Sequence, residues 1–254
     1  MHLQDTRGRV ASLAVRSRSV AACDVDVAKI RREGFQLIRG FGADAARLEL
    51  ELNRVSKRKL FHSARVGGVV HQFRVLPYSE NLSEQRSGGG YHTDFMFQPR
   101  PPEFVALLCI RPDPRHPFYG RNQVVHRDAF LERIRGVFGI TEAELLNLPV
   151  KYNFTGRAPI VLPLLHRLDG ERIFKLHTSL MQAERVSSFS DLPLKAAIEA
   201  VCGDIAQEIV LDSGDLLIVS NHCALHRRSE CTVAFEHDGR SFQSRELATI
   251  RFDV

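Results

Sequence analysis

Apolar and polar residues alternate over many short stretches of this chain, and such alternation is typical of half-buried β-strands. The alternating stretches lie at 34–40, 66–76, 122–126 and 245–252, and a continuous apolar run at 103–110 predicts a fully buried strand. Apolar residues at helical spacing predict helices at 43–60, 129–137 and 192–207. The pattern as a whole predicts a mainly β, α+β protein whose few helices flank its sheets.

Two local signals refine these elements. Thr141 and Glu144 have the spacing of a capping box at the start of a helix. The sequence Leu168-Asp169-Gly170-Glu171 predicts a tight turn between two strands. The end of the buried strand at 215–219 is predicted to run into a loop.

The length and composition indicate one globular domain. The chain has 254 residues, of which 44% are hydrophobic and 26% charged. We expect residues 1–24 to form a flexible leader and residues 25–254 to form a single domain. A polar, glycine-terminated stretch at about 77–90 is predicted to be a lid-like loop.

Cysteine usage and charge limit the environment and the partners. The five cysteines are scattered without a C-x-x-C pair, which favours a reduced, cytoplasmic protein. No run of 18 apolar residues is present, so no membrane association is expected. The net charge is +5, but the arginines are dispersed rather than clustered with aromatics, and no nucleic-acid partner is expected.

Candidate metal ligands lie in the sequence Gly90-Tyr91-His92-Thr93-Asp94-Phe95. In an extended segment His92 and Asp94 point to the same side, and an imidazole with a carboxylate makes two corners of a facial triad for non-haem Fe(II). A second His-x-Asp, His126 and Asp128, leads into a helical pattern, and we interpret it as unrelated to a metal site.

A second informative segment runs from Gly214 to Arg228, where a buried strand is followed by Asn221 and His226. Together the two segments resemble the Fe(II)/2-oxoglutarate oxygenases of the taurine dioxygenase and clavaminate synthase-like superfamily. Their pattern is His-x-Asp/Glu, then Asn-x-x-x-x-His after a strand, then an arginine on the last strand. The resemblance implies a double-stranded β-helix, or jelly-roll, and makes His226 rather than His222 the third iron ligand, on a strand facing His92.

The resemblance also implies a site for the cosubstrate 2-oxoglutarate. Its distal carboxylate needs an arginine that opens the last strand, and Arg245 is the first choice, with Arg240 and Arg251 as alternatives. Asn122 and Gln123 stand where the family has a hydroxyl residue that assists this arginine. Thr249, four residues past Arg245, matches the family's substrate-contacting position.

Four further residues are candidates for substrate binding. Arg86, in the lid-like loop, and Arg251 could pair with a substrate carboxylate. Tyr91 and Phe95 flank the ligands and could line the substrate pocket.

The function that the resemblance implies uses Fe(II), 2-oxoglutarate and O2 to hydroxylate an unactivated C–H bond. The expected substrate is a small polar molecule, an amino acid or derivative in specialised (natural-product) metabolism. A catalytically silent jelly-roll protein that binds a small molecule is the alternative, and a desaturase or cyclase would use the same iron site. The sequence does not indicate the oligomeric state.

Overall fold

A computed structural model describes residues 24–62, 67–154, 156, 158–182, 193–237 and 239–254. All but the last residue of the predicted leader lies outside these ranges. The helices are α1 Val27–Glu33, α2 Ala45–Val55, α3 Arg127–Phe138, α4 Glu142–Asn147 and α5 Leu194–Ile205, with a 3-10 turn at Thr178–Leu180. The strands are β1 Phe35–Ile38, β2 His71–Arg74, β3 Phe104–Arg111, β4 Asn122–His126, β5 Val150–Tyr152, β6 Ile160–Leu162, β7 Leu165–Leu168, β8 Glu171–Phe174, β9 Gln207–Ile209, β10 Leu216–Ser220, β11 Ala224–Arg228, β12 Val233–Phe235, β13 Phe242–Ser244 and β14 Glu246–Phe252.

Two antiparallel sheets form the centre of the fold. The larger has the strand order β1-β10-β3-β14-β2, and the smaller has the order β11-β4-β9. Side chains from both sheets pack into one apolar cluster, to which the larger sheet contributes Cys109, Leu217 and Leu247 and the smaller contributes Val124, Ile209 and Ala224. The two sheets therefore enclose a shared interior.

Helices cover the outer faces of both sheets. Leu48 and Leu52 of α2 pack with Ala248 and Ile250, which alternate with the inward residues of β14. On the other side, Phe130 of α3 and Ile198 of α5 pack with Leu225 of β11 and other residues of a second core cluster. The expected mainly β architecture with flanking helices is confirmed.

The local signals in the sequence are also confirmed. Thr141 Oγ1 accepts a hydrogen bond from the Glu144 amide at 3.3 Å, and Glu144 Oε2 accepts one from the Thr141 amide at 2.7 Å. Asp169 and Gly170 have φ angles of 51° and 87° and join β7 to β8. The capping box and the turn both depend on neighbouring residues only, which explains why the sequence alone was sufficient to predict them.

Several elements differ from the prediction. The strand predicted at 66–76 is confined to β2, His71–Arg74. Helix α2 spans 45–55 rather than 43–60, because Asp44 caps its start and the backbone at Ser56 is extended. The apolar pattern predicts a loop after residue 219, but residues 224–228 form strand β11. His226 therefore lies in a strand, as the resemblance implies, and this strand is paired with β4. The sequence of β11 lacks the apolar alternation of a half-buried strand, because Arg227 and Arg228 follow His226. Both arginines are accommodated by hydrogen bonds on opposite faces of the strand, from Arg227 to Gln123 and from Arg228 to the carbonyl of Gln85.

Four cysteines, Cys109, Cys202, Cys223 and Cys231, are buried with free thiols, as expected for Cys109 and Cys202, while Cys23 lies outside the described residues. None of the helices in the described ranges has the length and apolar character that crossing a membrane requires.

Candidate metal centre

Three side chains converge at one edge of the interior between the sheets. His92, Asp94 and His226 each offer one ligand atom, and these atoms lie within 4.8 Å of one another. Nε2 of His92 is 3.5 Å and Nε2 of His226 is 3.8 Å from Oδ1 of Asp94. Two imidazoles and one carboxylate in this arrangement match the donors of a facial triad for Fe(II).

Backbone pairing brings the two histidines together. The amide of His92 donates to the carbonyl of His226, and the amide of His226 donates to the carbonyl of His92, both at 3.0 Å. The histidines are therefore directly paired neighbours, whereas the sequence prediction placed them on facing strands. Nδ1 of His92 lies 2.9 Å from the carbonyl of Gly90, which orients Nε2 towards Asp94.

Asn221 fixes the backbone that carries the carboxylate. Its Oδ1 accepts a hydrogen bond from the Asp94 amide at 2.7 Å, and its Nδ2 donates to the Asp94 carbonyl at 2.9 Å. Nδ2 also donates to the carbonyl of Pro102 at 2.9 Å. The asparagine in Asn-x-x-x-x-His thus joins the end of β10 to the His-x-Asp segment, which is far away in sequence.

Arg251 holds the other oxygen of the carboxylate. Its Nε donates to Oδ2 of Asp94 at 2.6 Å, and its guanidinium carbon lies 5.7 and 5.3 Å from the ring centres of Phe73 and Phe95. Burial alone would raise the pKa of Asp94, but the charge of Arg251 and the hydrogen bond with His92 lower it well below its usual value. Asp94 is therefore an anion with Oδ1 directed at the histidines.

The buried histidines are neutral. Burial lowers the pKa of His226 to about 3, and the same cause, followed by the charge of His92, lowers the pKa of His177 to about 3. A neutral imidazole has the free lone pair that a metal ligand needs. His177 was not anticipated: its ring stacks on that of His92 with centroids 4.8 Å apart, and its Nδ1 is buried without a hydrogen-bond partner in the described residues.

Arg245 lies in the same interior, just before β14. It is buried, and its Nη2 donates to Oδ1 of Asn122 at 2.9 Å. A Cβ atom added at Gly120 would lie 2.8 Å from Cδ of Arg245, so only glycine leaves room for this arginine. Burial lowers the pKa of Arg245 from its usual value.

Polar atoms of Asn122, beside this arginine, and of Thr249, four residues further along the chain, are available to a ligand. Nδ2 of Asn122 and Oγ1 of Thr249 are buried without a hydrogen-bond partner among the described residues. Unpaired buried polar atoms are costly, and a bound polar molecule would satisfy them. In the sheet, Asn122 is paired with Arg228, which lies two residues after His226 in β11. Two residues of a strand span about 6.6 Å, so Asn122 lies about this far along the strands from His226.

Gln123 and Tyr91 occupy the opposite face of the smaller sheet. Oε1 of Gln123 accepts hydrogen bonds from the hydroxyl of Tyr91, at 3.2 Å, and from Nε of Arg227. The guanidinium of Arg227 lies over the Tyr91 ring at 4.2 Å, and burial raises the pKa of Tyr91 to about 12. The structure therefore brings Asn122, but not Gln123, to Arg245, and turns Tyr91 away from the metal ligands.

A carboxylate that the sequence analysis missed supports the site from behind. Glu199 of α5 accepts hydrogen bonds from Thr178 Oγ1 and from Nη1 of Arg227, the latter at 3.2 Å. Thr178 follows His177 and Arg227 follows His226, so one carboxylate ties together the two segments that carry these histidines. No local motif marks Glu199 or His177, and only the packing of α5 on the smaller sheet reveals them.

The remaining candidates lie elsewhere. Arg86 and Arg240 are exposed. The lid-like loop around Arg86 is attached to the end of β11, because Nη2 of Arg228 donates to the carbonyl of Gln85 at 2.6 Å and of Ser87 at 3.1 Å.

The rival histidines have other partners. Nε2 of His222 lies 3.0 Å from the carbonyl of Pro101. His126 caps α3 through the Asp128 amide, as expected for a His-x-Asp outside the site.

Comparison with known proteins gives structural matches only. No protein-family model matches the chain, and no curated protein is similar to it in sequence. An asparagine oxygenase solved with Fe(II), hydroxyasparagine and succinate has a TM-score of 0.66 and 17% identity, over 89% of this chain and 78% of its own. The non-haem iron oxygenase OrfP, solved with Fe and α-ketoglutaric acid, has a TM-score of 0.58 and 17% identity, over 89% and 77%.

A taurine dioxygenase from Burkholderia xenovorans has a TM-score of 0.57 and 14% identity, over 91% of this chain and 83% of its own. The likeness extends over most of each chain, although the sequences have diverged widely. The protein therefore has the fold shared by these iron- and 2-oxoglutarate-dependent oxygenases.

Proposed function

We propose that this protein is an Fe(II)- and 2-oxoglutarate-dependent oxygenase that hydroxylates an unactivated C–H bond of a small molecule, an amino acid or derivative. The observation that carries this proposal is the convergence of three ligand atoms, from His92, Asp94 and His226, within 4.8 Å in a fold shared with such enzymes. Similar folds host many functions, so the three converging ligand atoms support the proposal more strongly than the fold does.

The proposed architecture is a double-stranded β-helix, in which the larger and smaller sheets are the two halves of a jelly-roll. The apolar cluster common to both sheets supports it. His226 lies in β11 of the smaller sheet and Arg245 just before β14 of the larger, while His92 and Asp94 lie in a segment outside the strands that is bridged to β11 at His92.

The metal would be held by Nε2 of His92, Nε2 of His226 and Oδ1 of Asp94. This donor set fits Fe(II) and leaves the remaining coordination positions for exchangeable ligands. Fe(II) together with 2-oxoglutarate and O2 supplies the oxidising power that replaces a C–H bond with C–OH. The contribution of the chain is to keep the imidazole of His226 neutral and the Asp94 carboxylate charged, as described above.

We assign the distal carboxylate of 2-oxoglutarate to Arg245. The planar guanidinium offers parallel N–H groups that match a carboxylate, and Asn122 holds it in place through Nη2. Nδ2 of Asn122, which lacks a partner among the described residues, would donate to the same acid. The unpaired hydroxyl of Thr249 lies between Arg245 and Arg251 on the interior face of β14 and would bind either the acid or the substrate.

The substrate would bind where Phe95 and Arg251 border the carboxylate of Asp94. Phe95 follows the metal ligand directly, and its ring contacts the guanidinium of Arg251. Tyr91 would act on the site only by packing behind His92. The exposed side chain of Arg86 would meet a substrate only at the entrance formed by the loop at 77–90.

Anaerobic titration tests this proposal. Fe(II) followed by 2-oxoglutarate should produce the weak visible charge-transfer band of the chelate, and His92→Ala should abolish it. Incubation of candidate amino acids with the enzyme, Fe(II), ascorbate, 2-oxoglutarate and O2 should give succinate and a product heavier by one oxygen atom. A protein that binds amino acids but shows no band with Fe(II) and 2-oxoglutarate would instead be a silent binding protein.

A further inference from the structure

Four phenylalanine rings form a continuous row beside the metal centre. The centroid distances are 6.0 Å from Phe61 to Phe95, 6.1 Å from Phe95 to Phe97, and 5.8 Å from Phe97 to Phe154. We call Phe61, Phe95, Phe97 and Phe154 the aromatic row. Its members come from three separate segments of the chain, so the row is a product of the tertiary structure.

The row is continuous with the proposed active site. Phe95 follows Asp94, and the guanidinium that holds Asp94 lies 5.3 Å from the Phe95 ring centre. The amide of Phe61 donates to the carbonyl of Arg251 at 3.0 Å. At the far end, the amide of Asn153, the residue before Phe154, donates to Leu180, three residues after His177. The row therefore extends from the Arg251 side of the metal ligands to the His177 side.

The row keeps apolar surface in contact with solvent. None of its four side chains is fully buried, and Phe97 is 39% exposed. Phe95 also has a φ angle of 54°, which a non-glycine residue rarely adopts and which costs free energy. Phe95 is therefore strained and partly exposed, and a ligand that covers its ring and that of Phe97 would remove apolar surface from water.

We infer that the aromatic row binds the side chain of the substrate, and that this side chain is aromatic. The inference rests on the proposed function and narrows its substrate class from amino acids in general to aromatic ones. It also distinguishes this chain from the structures solved with asparagine and arginine derivatives, whose side chains carry polar groups. Aromatic rings prefer tilted or edge-on contacts with other aromatic rings, and the row offers rings tilted at 39°, 59° and 84° to one another. A carboxamide group would lose hydrogen bonds to water on this surface.

Calorimetry without turnover tests the inference. The protein is loaded with Mn(II), which replaces Fe(II) without redox chemistry, and with 2-oxoglutarate, and is then titrated with L-phenylalanine, L-leucine and L-asparagine. We expect L-phenylalanine to bind about tenfold more tightly than L-asparagine, with L-leucine between them. Phe97→Ala should remove most of this preference and Phe97→Leu only part of it, since leucine retains apolar bulk.

Phe118→Ala is the matched control, because Phe118 is 73% exposed but lies outside the row, in the segment between β3 and β4. It should leave all three affinities unchanged. The inference is overturned if L-asparagine binds as tightly as L-phenylalanine, if neither amino acid binds, or if Phe97→Ala leaves the preference intact. If the protein still binds Mn(II) and 2-oxoglutarate when one of these results is found, only the inference about the aromatic row is refuted. If it binds neither, the proposed function is refuted as well.

Discussion

Arg251 and Asp94 form a buried ion pair in which Nε of the arginine donates to Oδ2 of the carboxylate at 2.6 Å. The other oxygen, Oδ1, faces Nε2 of His92 and of His226. The arginine thus decides which carboxylate oxygen is available to a metal. Arg251 therefore orients the carboxylate of Asp94 at the candidate metal centre, in addition to the substrate contact that the sequence suggested.

Replacing Arg251 should therefore weaken metal binding. In Arg251→Ala the carboxylate loses its fixed orientation and its positive neighbour, and the Kd for Mn(II) or Fe(II) should rise by about tenfold or more. Arg240→Ala, in an exposed position outside the site, is the control and should bind the metal normally. Calorimetric titration with metal measures the effect, and an unchanged Kd would show that the pair does not position Asp94.

Replacing Arg245 should affect 2-oxoglutarate and not the metal. Loss of a buried charged partner of a carboxylate costs about 2–5 kcal/mol, so the Kd for 2-oxoglutarate should rise by about 30-fold or more in Arg245→Ala. Arg245→Lys should recover only part of the affinity, because an ammonium group lacks the planar fork. If Arg251→Ala produces the larger loss of 2-oxoglutarate affinity instead, the assignment of the distal carboxylate to Arg245 is wrong.

Asn221→Ala should destabilise the fold as well as the metal site. The substitution leaves the buried amide of Asp94 and two carbonyl groups without their partner, which should lower the free energy of unfolding by about 2 kcal/mol. Urea denaturation of the metal-free protein measures this loss. His222→Ala, at the next residue, removes a single contact to Pro101 and should cost clearly less.

The metal-free protein should lose stability in mild acid. His177 and His226 have pKa values of about 3 in the folded chain, whereas an unfolded histidine titrates near its usual value of 6.5. Between these values the unfolded state binds more protons, so the free energy of unfolding falls as the pH is lowered below about 6.5. Each histidine contributes a slope of up to about 1.4 kcal/mol per pH unit.

His177→Gln isolates one of these contributions. Urea midpoints measured between about pH 7 and about pH 5 should fall less steeply for the variant than for the wild type. Asp94 does not interfere, because its lowered pKa places its titration below 3.8. Equal slopes for the two proteins would show that His177 is not held neutral by burial.

The sequence by itself determined the features that depend on neighbouring residues. His92 and Asp94 share a side because side chains alternate along an extended chain, and the Thr141 capping box and the Asp169-Gly170 turn are completed within a few residues. The resemblance of Asn221 and His226 to a known pattern supplied the third candidate ligand. Together these signals predict the three candidate ligands whose donor atoms lie within 4.8 Å of one another.

Only the tertiary structure decided what depends on pairing and packing between distant segments. Pairing with β4 makes a strand of residues 224–228, and an exchange of backbone hydrogen bonds then joins His92 to His226 of that strand. The choice of Asn122 over Gln123 follows from which face of β4 meets Arg245, a matter of how the smaller sheet packs on the larger. Glu199 has no local signature, because its partners belong to other segments and come within reach only after the chain has folded.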